Sequence, residues 1–136
     1  MSLFFDYKAN LSNEQPLTVA WSNSELAPML AVGTSTGKVY ILNEEGEVQS
    51  GLNLSRHCAP SKIIWHPYLP LLYIGWTDGM ITIWNEDEKT TREERWVHGG
   101  ENTAMVTSPD GSRMVTGDEH GILGVWSTSR GLSPIC

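Results

Sequence analysis

The residues of this sequence best suited to chemistry are its four histidines and two cysteines. They are His57, His66, His98, His120, Cys58 and Cys136. Such side chains bind zinc or transfer protons when three or more of them converge on one point. The cysteines match no Cys-x-x-Cys or other zinc spacing, and the histidines are scattered along the chain. The sequence therefore predicts no metal site, no cofactor and two unpaired thiols.

The remaining residues that could carry catalysis do not form a recognisable set. The acidic pairs Glu44/Glu45 and Glu93/Glu94 are adjacent in sequence on predicted loops, where carboxylates are normally solvated. The segment 127–130 contains hydroxyl side chains but lacks the glycine pattern of a nucleophile elbow. The Gly-x-x-x-Gly units precede no predicted helix, so they do not make a phosphate-binding loop. We expect no catalytic residue and no small-molecule substrate.

Charge and hydropathy exclude several classes of partner. The chain has 136 residues and a formal net charge of −7, without the basic stripe that a nucleic-acid or anionic-lipid surface requires. No apolar run approaches the roughly 18 residues of a membrane span. The N-terminus also lacks the basic and apolar regions of a secretory signal. These features favour an intracellular protein that binds neither nucleic acid nor the membrane interior.

A repeat of 42 residues organises the whole sequence. Gly33, Gly75 and Gly117 keep this spacing, and so do Leu42, Trp84 and Trp126. The units 30–42, 72–84 and 114–126 each read as an apolar run, a turn closed by glycine, and an alternating apolar run. This pattern is typical of a β-hairpin.

Further strands flank each predicted hairpin. An inner strand precedes it, at 17–21, 62–65 and 103–107, and a less regular strand follows the first two, at about 47–54 and 91–97. The third hairpin has a partial outer strand only if 131–135 supplies it. Four strands at a period of about 40–45 residues are the pattern of a β-propeller blade.

The predicted fold is therefore all-β, with about three four-stranded antiparallel blades of an incomplete ring. The units are approximately 15–54, 57–97 and 98–136, and residues 1–10 are expected to be a ring-closing strand. Because each blade packs on its neighbours, an incomplete ring leaves two open apolar faces. We interpret the chain as the N-terminal part of a larger propeller.

The glycine spacing, with tryptophan at the end of the hairpin and histidine upstream, resembles the WD-repeat family. In that family a histidine, a serine or threonine, an aspartate and the tryptophan form a hydrogen-bonded network within a blade. The resemblance assigns these positions to His57, Asp78 and Trp84 in the second repeat and to His98, Thr116 and Trp126 in the third. The repeats are degenerate: Ile74 replaces the hydroxyl residue, His120 replaces the aspartate, and the first repeat has Leu42 and Thr36 at the tryptophan and aspartate positions.

Three segments, 3–7, 63–67 and 72–79, resemble the start of the intraflagellar transport protein 140 family, WD-repeat subunits of intraflagellar transport complex A. The resemblance implies a scaffold that acts in retrograde ciliary transport, in cilium assembly and in the entry of membrane proteins into the cilium. It implies other subunits of complex A and cargo adaptors as partners. It also implies a location in the cilium or flagellum, at the axoneme and basal body, and in the cytoplasm.

Two tryptophans are candidates for partner binding. Trp76 lies in a predicted hairpin turn and Trp96 on a predicted outer strand, and tryptophan is a frequent anchor of interfaces. Packing of Trp76 against the adjacent blade is the alternative. An adaptor of another intracellular transport or vesicle-coat complex is the alternative function, and a propeller enzyme is the least favoured one.

Overall fold

The computed structural model describes residues 3–6, 8, 9, 11, 13–24, 27–49, 54–94, 99–128, 133 and 134. The first sheet contains β1 (Pro16–Trp21), β2 (Leu30–Thr34), β3 (Lys38–Leu42) and β4 (Leu54–Ser55). The second contains β5 (Pro60–Trp65), β6 (Leu71–Trp76), β7 (Ile81–Asn85) and β8 (Thr90–Glu94). The third contains β9 (Asn102–Thr107), β10 (Arg113–Asp118), β11 (Leu123–Ser127) and β12 (Ser133–Pro134).

Each sheet is a meander in which consecutive strands pair antiparallel. The central hairpins turn at Gly37, Gly79 and Gly121, whose φ angles are +87°, +92° and +83°. Residues other than glycine rarely adopt this region, so the glycine at each turn allows the tight return of the chain. The three predicted hairpins and their inner strands are confirmed.

The sheets stand side by side, with β5 packed between β1 and β9. Side chains alternate along each strand, so the second sheet buries one set of residues on each face. Ile63 and Trp65 belong to the core shared with the first sheet, whereas Ile64 packs into the core shared with the third. Both faces of the second sheet are therefore covered.

The outer two sheets each have one open face. On β1, Leu17, Val19 and Trp21 point away from the second sheet and are exposed. On the other side of the stack, Val106 and Leu123 of the third sheet are exposed as well. Three twisted four-stranded sheets with inner strands adjacent and apolar side chains on both outer faces form an incomplete β-propeller.

The fourth strand of the first sheet differs from its predicted position. Between residues 47 and 54 the chain makes an isolated bridge from Val48 to Leu42 and resumes pairing only at β4. A turn at 43–46, in which Asn43 accepts hydrogen bonds from the amides of Glu45 and Glu47, precedes the bridge. By contrast, β8 begins one residue before its predicted segment and overlaps it, and β12 lies within the segment 131–135.

The ring-closing role predicted for residues 1–10 stays a prediction. Four of these residues lie outside the described part of the chain. Leu3, Phe4 and Phe5 belong to no strand and are exposed.

No helix among the described residues is long and apolar enough to cross a lipid bilayer.

Candidate functional site

The third blade contains the tryptophan–hydroxyl pair that the WD-repeat resemblance implies. Trp126 Nε1 donates to Thr116 Oγ1 at 2.9 Å, and both side chains are fully buried. A buried indole N–H needs such a partner, because an unpaired one retains its desolvation cost. His98, the third predicted member, lies outside the described residues. His120 is exposed in the turn, where Asp118 rather than His120 organises the backbone.

In the second blade the tryptophan finds a different partner. Trp84 Nε1 donates to Glu86 Oε2 at 2.6 Å, and both residues are buried. The other oxygen of Glu86 accepts from Lys89. Since Ile74 offers no hydroxyl, a carboxylate two residues after the tryptophan fills the role.

Asp78 pairs with Arg56 and not with His57, the residue that the WD-repeat resemblance assigned to the blade network. Arg56 donates to both oxygens of Asp78, at 3.1 and 2.9 Å, while the His57 side chain is exposed. The guanidinium also lies 4.9 Å from the ring centre of Trp76, as in a cation–π contact. Burial alone would lower the pKa of Arg56, but the hydrogen bonds and charge of Asp78 raise it above its ordinary value. Arginine replaces histidine here because its planar fork matches a carboxylate.

One group of potential metal ligands occurs among the described residues. Donor atoms of His57, Cys58 and Asp78 lie within 4.8 Å of one another. Arg56, however, already engages both oxygens of Asp78 and donates to Cys58 Sγ at 3.5 Å. A divalent cation would have to displace a guanidinium of like charge, so the geometry favours the ion pair.

Trp76 is not available to a partner, so its prediction as a binding residue is wrong. It is the last residue of β6, its side chain is 0% exposed, and its Nε1 donates to Thr82 Oγ1 at 2.9 Å. Leu72, Ile74 and Trp76 alternate on one face of β6 and pack into the core between the first two blades. The alternative of packing against the adjacent blade is confirmed. Trp96, the other candidate, lies outside the described residues.

The repeated glycines allow neighbouring blades to approach closely. A Cβ atom built on Gly33 would lie 2.5 Å from Pro60 Cγ, and one on Gly75 would lie 2.9 Å from Asn102 Cβ. Both contacts are to the inner strand of the next blade. Gly117 faces the open side of the third blade, where the nearest atom, Leu123 Cδ2, is 3.3 Å away. The 42-residue glycine period thus marks blade-to-blade contact.

Hydrogen bonds to backbone carbonyls cross both blade junctions. Trp65 Nε1 donates to Ala20 O at 3.0 Å, joining the second blade to the first. The buried Asn102 amide donates to the carbonyls of Trp76 and Met80, both at 3.2 Å, joining the third blade to the second. These hydrogen bonds fix the blades in one relative position, because a shift of one blade along the other would leave a donor buried without an acceptor.

His66 makes a further hydrogen bond between blades that the sequence did not predict. Its Nδ1 accepts from the amides of Tyr68 and Leu69, both at 3.0 Å. With Nδ1 accepting, Nε2 carries the proton and donates to Gly111 O at 2.9 Å. This buried histidine therefore shapes the β5–β6 loop and links it to the β9–β10 loop. The Trp-His-Pro motif was the signal, since it places a polar ring directly after a buried strand.

A second unpredicted cluster lies on the open side of the first blade. Glu14 accepts hydrogen bonds from the hydroxyls of Thr36, Tyr40 and Thr34. The hydrogen bonds from Thr36 and Tyr40 hold the pKa of the Glu14 carboxyl below its ordinary value. The cluster ties the chain preceding β1 to the first hairpin.

A groove opens between the first two blades. It has a volume of about 380 Å³ and lies where the β1–β2 and β5–β6 loops meet the β7–β8 turn. We call this the lower groove, and the end of the molecule that carries these loops the lower rim. Apolar side chains, including Met29, Trp65 and Tyr68, line one part of it, and Glu86 and Asp87 line another. Grooves of this size accommodate side chains of a partner or a small molecule.

The degenerate repeats, the Trp126–Thr116 pair and the three side-by-side meanders define a WD-repeat type of β-propeller. A family model described as the IFT140 first beta-propeller matches residues 2–132. The chain therefore belongs to the IFT140 first β-propeller family.

Two curated relatives are similar to parts of this chain. Cilia- and flagella-associated protein 251 of Pongo abelii is 33% identical over 91 residues, which cover 66% of this chain and 8% of that protein. A protein raptor homolog of Dictyostelium discoideum is 31% identical over 83 residues, which cover 57% of this chain and 6% of that protein. The matched region is thus less than a tenth of either relative.

Proposed function

We propose that this chain is a non-enzymatic protein-binding scaffold in an intraflagellar transport complex of the complex A type. The observation that carries the proposal is the family match, which extends over residues 2–132 and so includes every strand of the three blades except β12. The ciliary name of one relative supports the same cellular setting. In this role the propeller acts in retrograde ciliary transport, in cilium assembly and in the delivery of membrane proteins to the cilium.

The geometry supports a scaffold and offers little to catalysis. Three of the titratable groups described above are engaged in structural contacts: Asp78 with Arg56, Glu86 with Trp84, and His66 with three backbone groups. These contacts hold blades and loops in place, which suits a rigid platform for partners. The partners proposed are other complex A subunits and adaptors for ciliary membrane cargo, in the cilium, axoneme, basal body and cytoplasm.

The test is disruption of the gene that encodes the chain in a ciliated cell, with live imaging of tagged transport particles. We expect particles to accumulate at the ciliary tip, together with shortened cilia and loss of membrane receptors from the cilium. Re-expression of the intact gene is the control. Normal ciliary transport combined with a defect in another intracellular transport pathway would contradict the proposal and favour the general WD-repeat adaptor.

That alternative has one observation in its favour. The raptor homolog is nearly as similar as the ciliary relative, and its name carries no ciliary term. Partner identification decides between them, because a complex A scaffold must co-purify with complex A subunits at defined stoichiometry.

A further inference from the structure

We propose that the lower groove binds a segment of a partner protein that presents an aromatic or aliphatic side chain next to an arginine. The proposal rests on the scaffold function and specifies the surface and the chemistry of one partner. It is argued from the fixed shape of the β5–β6 loop, from its exposed aromatic side chain, and from the charge of the surrounding rim.

The β5–β6 loop holds its shape before any partner arrives. His66, itself only 6% exposed, accepts hydrogen bonds from the amides of Tyr68 and Leu69 and donates to Gly111 in the neighbouring blade. The loop closes with a hydrogen bond from the His66 amide to Leu71 O at 2.8 Å. A loop fixed in this way loses little conformational entropy on binding.

This fixed loop directs two large apolar side chains outward. Tyr68 is 74% exposed and Leu69 is 51% exposed, although both line the groove beside the buried Trp65. On the opposite wall the Ser22 hydroxyl accepts from the amide of Met29 at 2.9 Å, which holds Met29 in the groove. An exposed tyrosine on a fixed backbone, above an apolar groove, is the arrangement found at anchors of protein interfaces.

The lower rim is acidic. Its described carboxylate side chains are Glu44, Glu45, Glu47, Glu86, Asp87, Glu88 and Asp110, and the same rim carries the cations Lys89 and Arg113. Lys89 is already paired with Glu86, and no lysine or arginine is found among the described residues that line the groove. The Asp87 side chain is exposed at the edge of the groove and has no ion pair within the described part of the chain.

These features together select the chemistry of the occupant. An apolar side chain fits the groove, and an adjacent arginine can pair with Asp87 and lie against the ring of Tyr68. The net charge of −7 disfavours a second copy of this chain as the occupant, because both surfaces would be acidic. It equally disfavours nucleic acid.

The experiment uses a fluorescein-labelled synthetic peptide, Gly-Ser-Arg-Trp-Leu-Arg-Ser-Gly, titrated with the purified chain and followed by fluorescence anisotropy. Two comparison peptides carry glutamate in place of both arginines, or serine in place of tryptophan and leucine. We expect the first peptide to bind at least about tenfold more tightly than either comparison peptide. Equal binding of the glutamate peptide, or no binding of the arginine peptide, would overturn the proposal.

Variants then locate the site. Tyr68→Ser and Asp87→Asn should each weaken binding of the arginine peptide about fivefold or more, and Asp87→Asn should also reduce its salt dependence. Both positions are exposed, so the fold should persist, as checked by the urea midpoint. Ile122→Ser and Glu119→Gln, which lie at the opposite end of the third blade, are the matched controls and should leave the affinity unchanged. Equal effects of test and control variants would refute the groove as the site.

Two further readouts separate the remaining outcomes. A dimer in light scattering that Tyr68→Ser abolishes would identify a second copy as the occupant and refute the peptide proposal. Co-purification with complex A subunits tests the scaffold function independently. A chain that joins the complex but binds no peptide refutes only the groove, whereas peptide binding without complex association refutes only the proposed function.

Discussion

Replacing Gly75 by alanine tests whether the glycine period records contact between blades. The new methyl group would lie 2.8 Å from Met105 Sδ, 2.9 Å from Asn102 Cβ and 3.1 Å from Asn102 Cγ. Met105 can move aside because its side chain is flexible. Asn102 cannot, because it is fully buried and its amide donates to the carbonyls of Trp76 and Met80.

The expected cost follows from this overlap. Overpacking against a fixed neighbour destabilises a protein by about 1–3 kcal/mol. In a chain of 136 residues a loss of about 2 kcal/mol lowers Tm by roughly 5–10 °C. The matched control is Gly117→Ala, whose methyl group would come no closer than 3.3 Å, to the exposed side chain of Leu123. This control should change stability by less than about 0.5 kcal/mol.

The assay is urea unfolding followed by tryptophan fluorescence, with Tm from circular dichroism. The reasoning predicts that Gly75→Ala lowers both values and that Gly117→Ala leaves them nearly unchanged. Equal destabilisation by the two substitutions would refute it, because the glycines would then serve the hairpin itself and not the junction between blades.

Three other perturbations probe the contacts that hold the blades. Thr116→Val leaves the Trp126 indole N–H buried without an acceptor and should lower the free energy of unfolding by about 1–3 kcal/mol in urea titrations; an unchanged midpoint would show that the pair is dispensable. His66→Ala removes three hydrogen bonds and should lower the free energy of unfolding by about 2–3 kcal/mol. The control His120→Ala, at an exposed position, should change it by less than about 0.5 kcal/mol. Equal effects of the two substitutions would contradict the structural role of His66. The backbone amide of Ser112, with the hydroxyls of Ser108 and Ser112, lowers the pKa of Asp110 to about 2. Because the pKa of Asp110 is lower in the folded than in the unfolded state, this stabilisation is complete above about pH 4 and disappears as the pH falls through about 2. The difference in the free energy of unfolding between wild type and Asp110→Asn should therefore shrink in that range. Parallel pH profiles of the two proteins would argue against this assignment.

The sequence predicted the hairpins because their signals are local. Gly79 and its equivalents lie between runs of alternating apolar residues, and neither signal depends on distant parts of the chain. The buried Trp126–Thr116 pair could also be predicted from the sequence, since both residues lie within one repeat.

The errors came from position within a strand and from contacts between blades. The 42-residue period aligns Trp76 with Thr34 and Asp118, and alternation with Leu72 and Ile74 places it on a buried face of β6. That register is present in the sequence, but the prediction places Trp76 in the hairpin turn, whereas it is the last residue of β6. The sequence offers two adjacent partners for Asp78, Arg56 and His57, and only the geometry shows that Arg56 is the partner.

The inter-blade hydrogen bonds could not have been derived from the sequence. His66 and Gly111 are 45 residues apart, and so are Trp65 and Ala20. Their contact requires the rotation between neighbouring blades, which no local pattern encodes. The lower groove depends on the same rotation, since residues of two blades line it.

Hydrogen exchange measured by mass spectrometry on the purified chain tests the central claim most directly. If the chain is a row of three blades that each require a neighbour, the second blade is covered on both faces, and the first and third are covered on one. The amides of β6 should then exchange more slowly than those of β2 and β10, which occupy the equivalent position in the outer blades. Equal protection of the three strands, or faster exchange in β6, would contradict the claim.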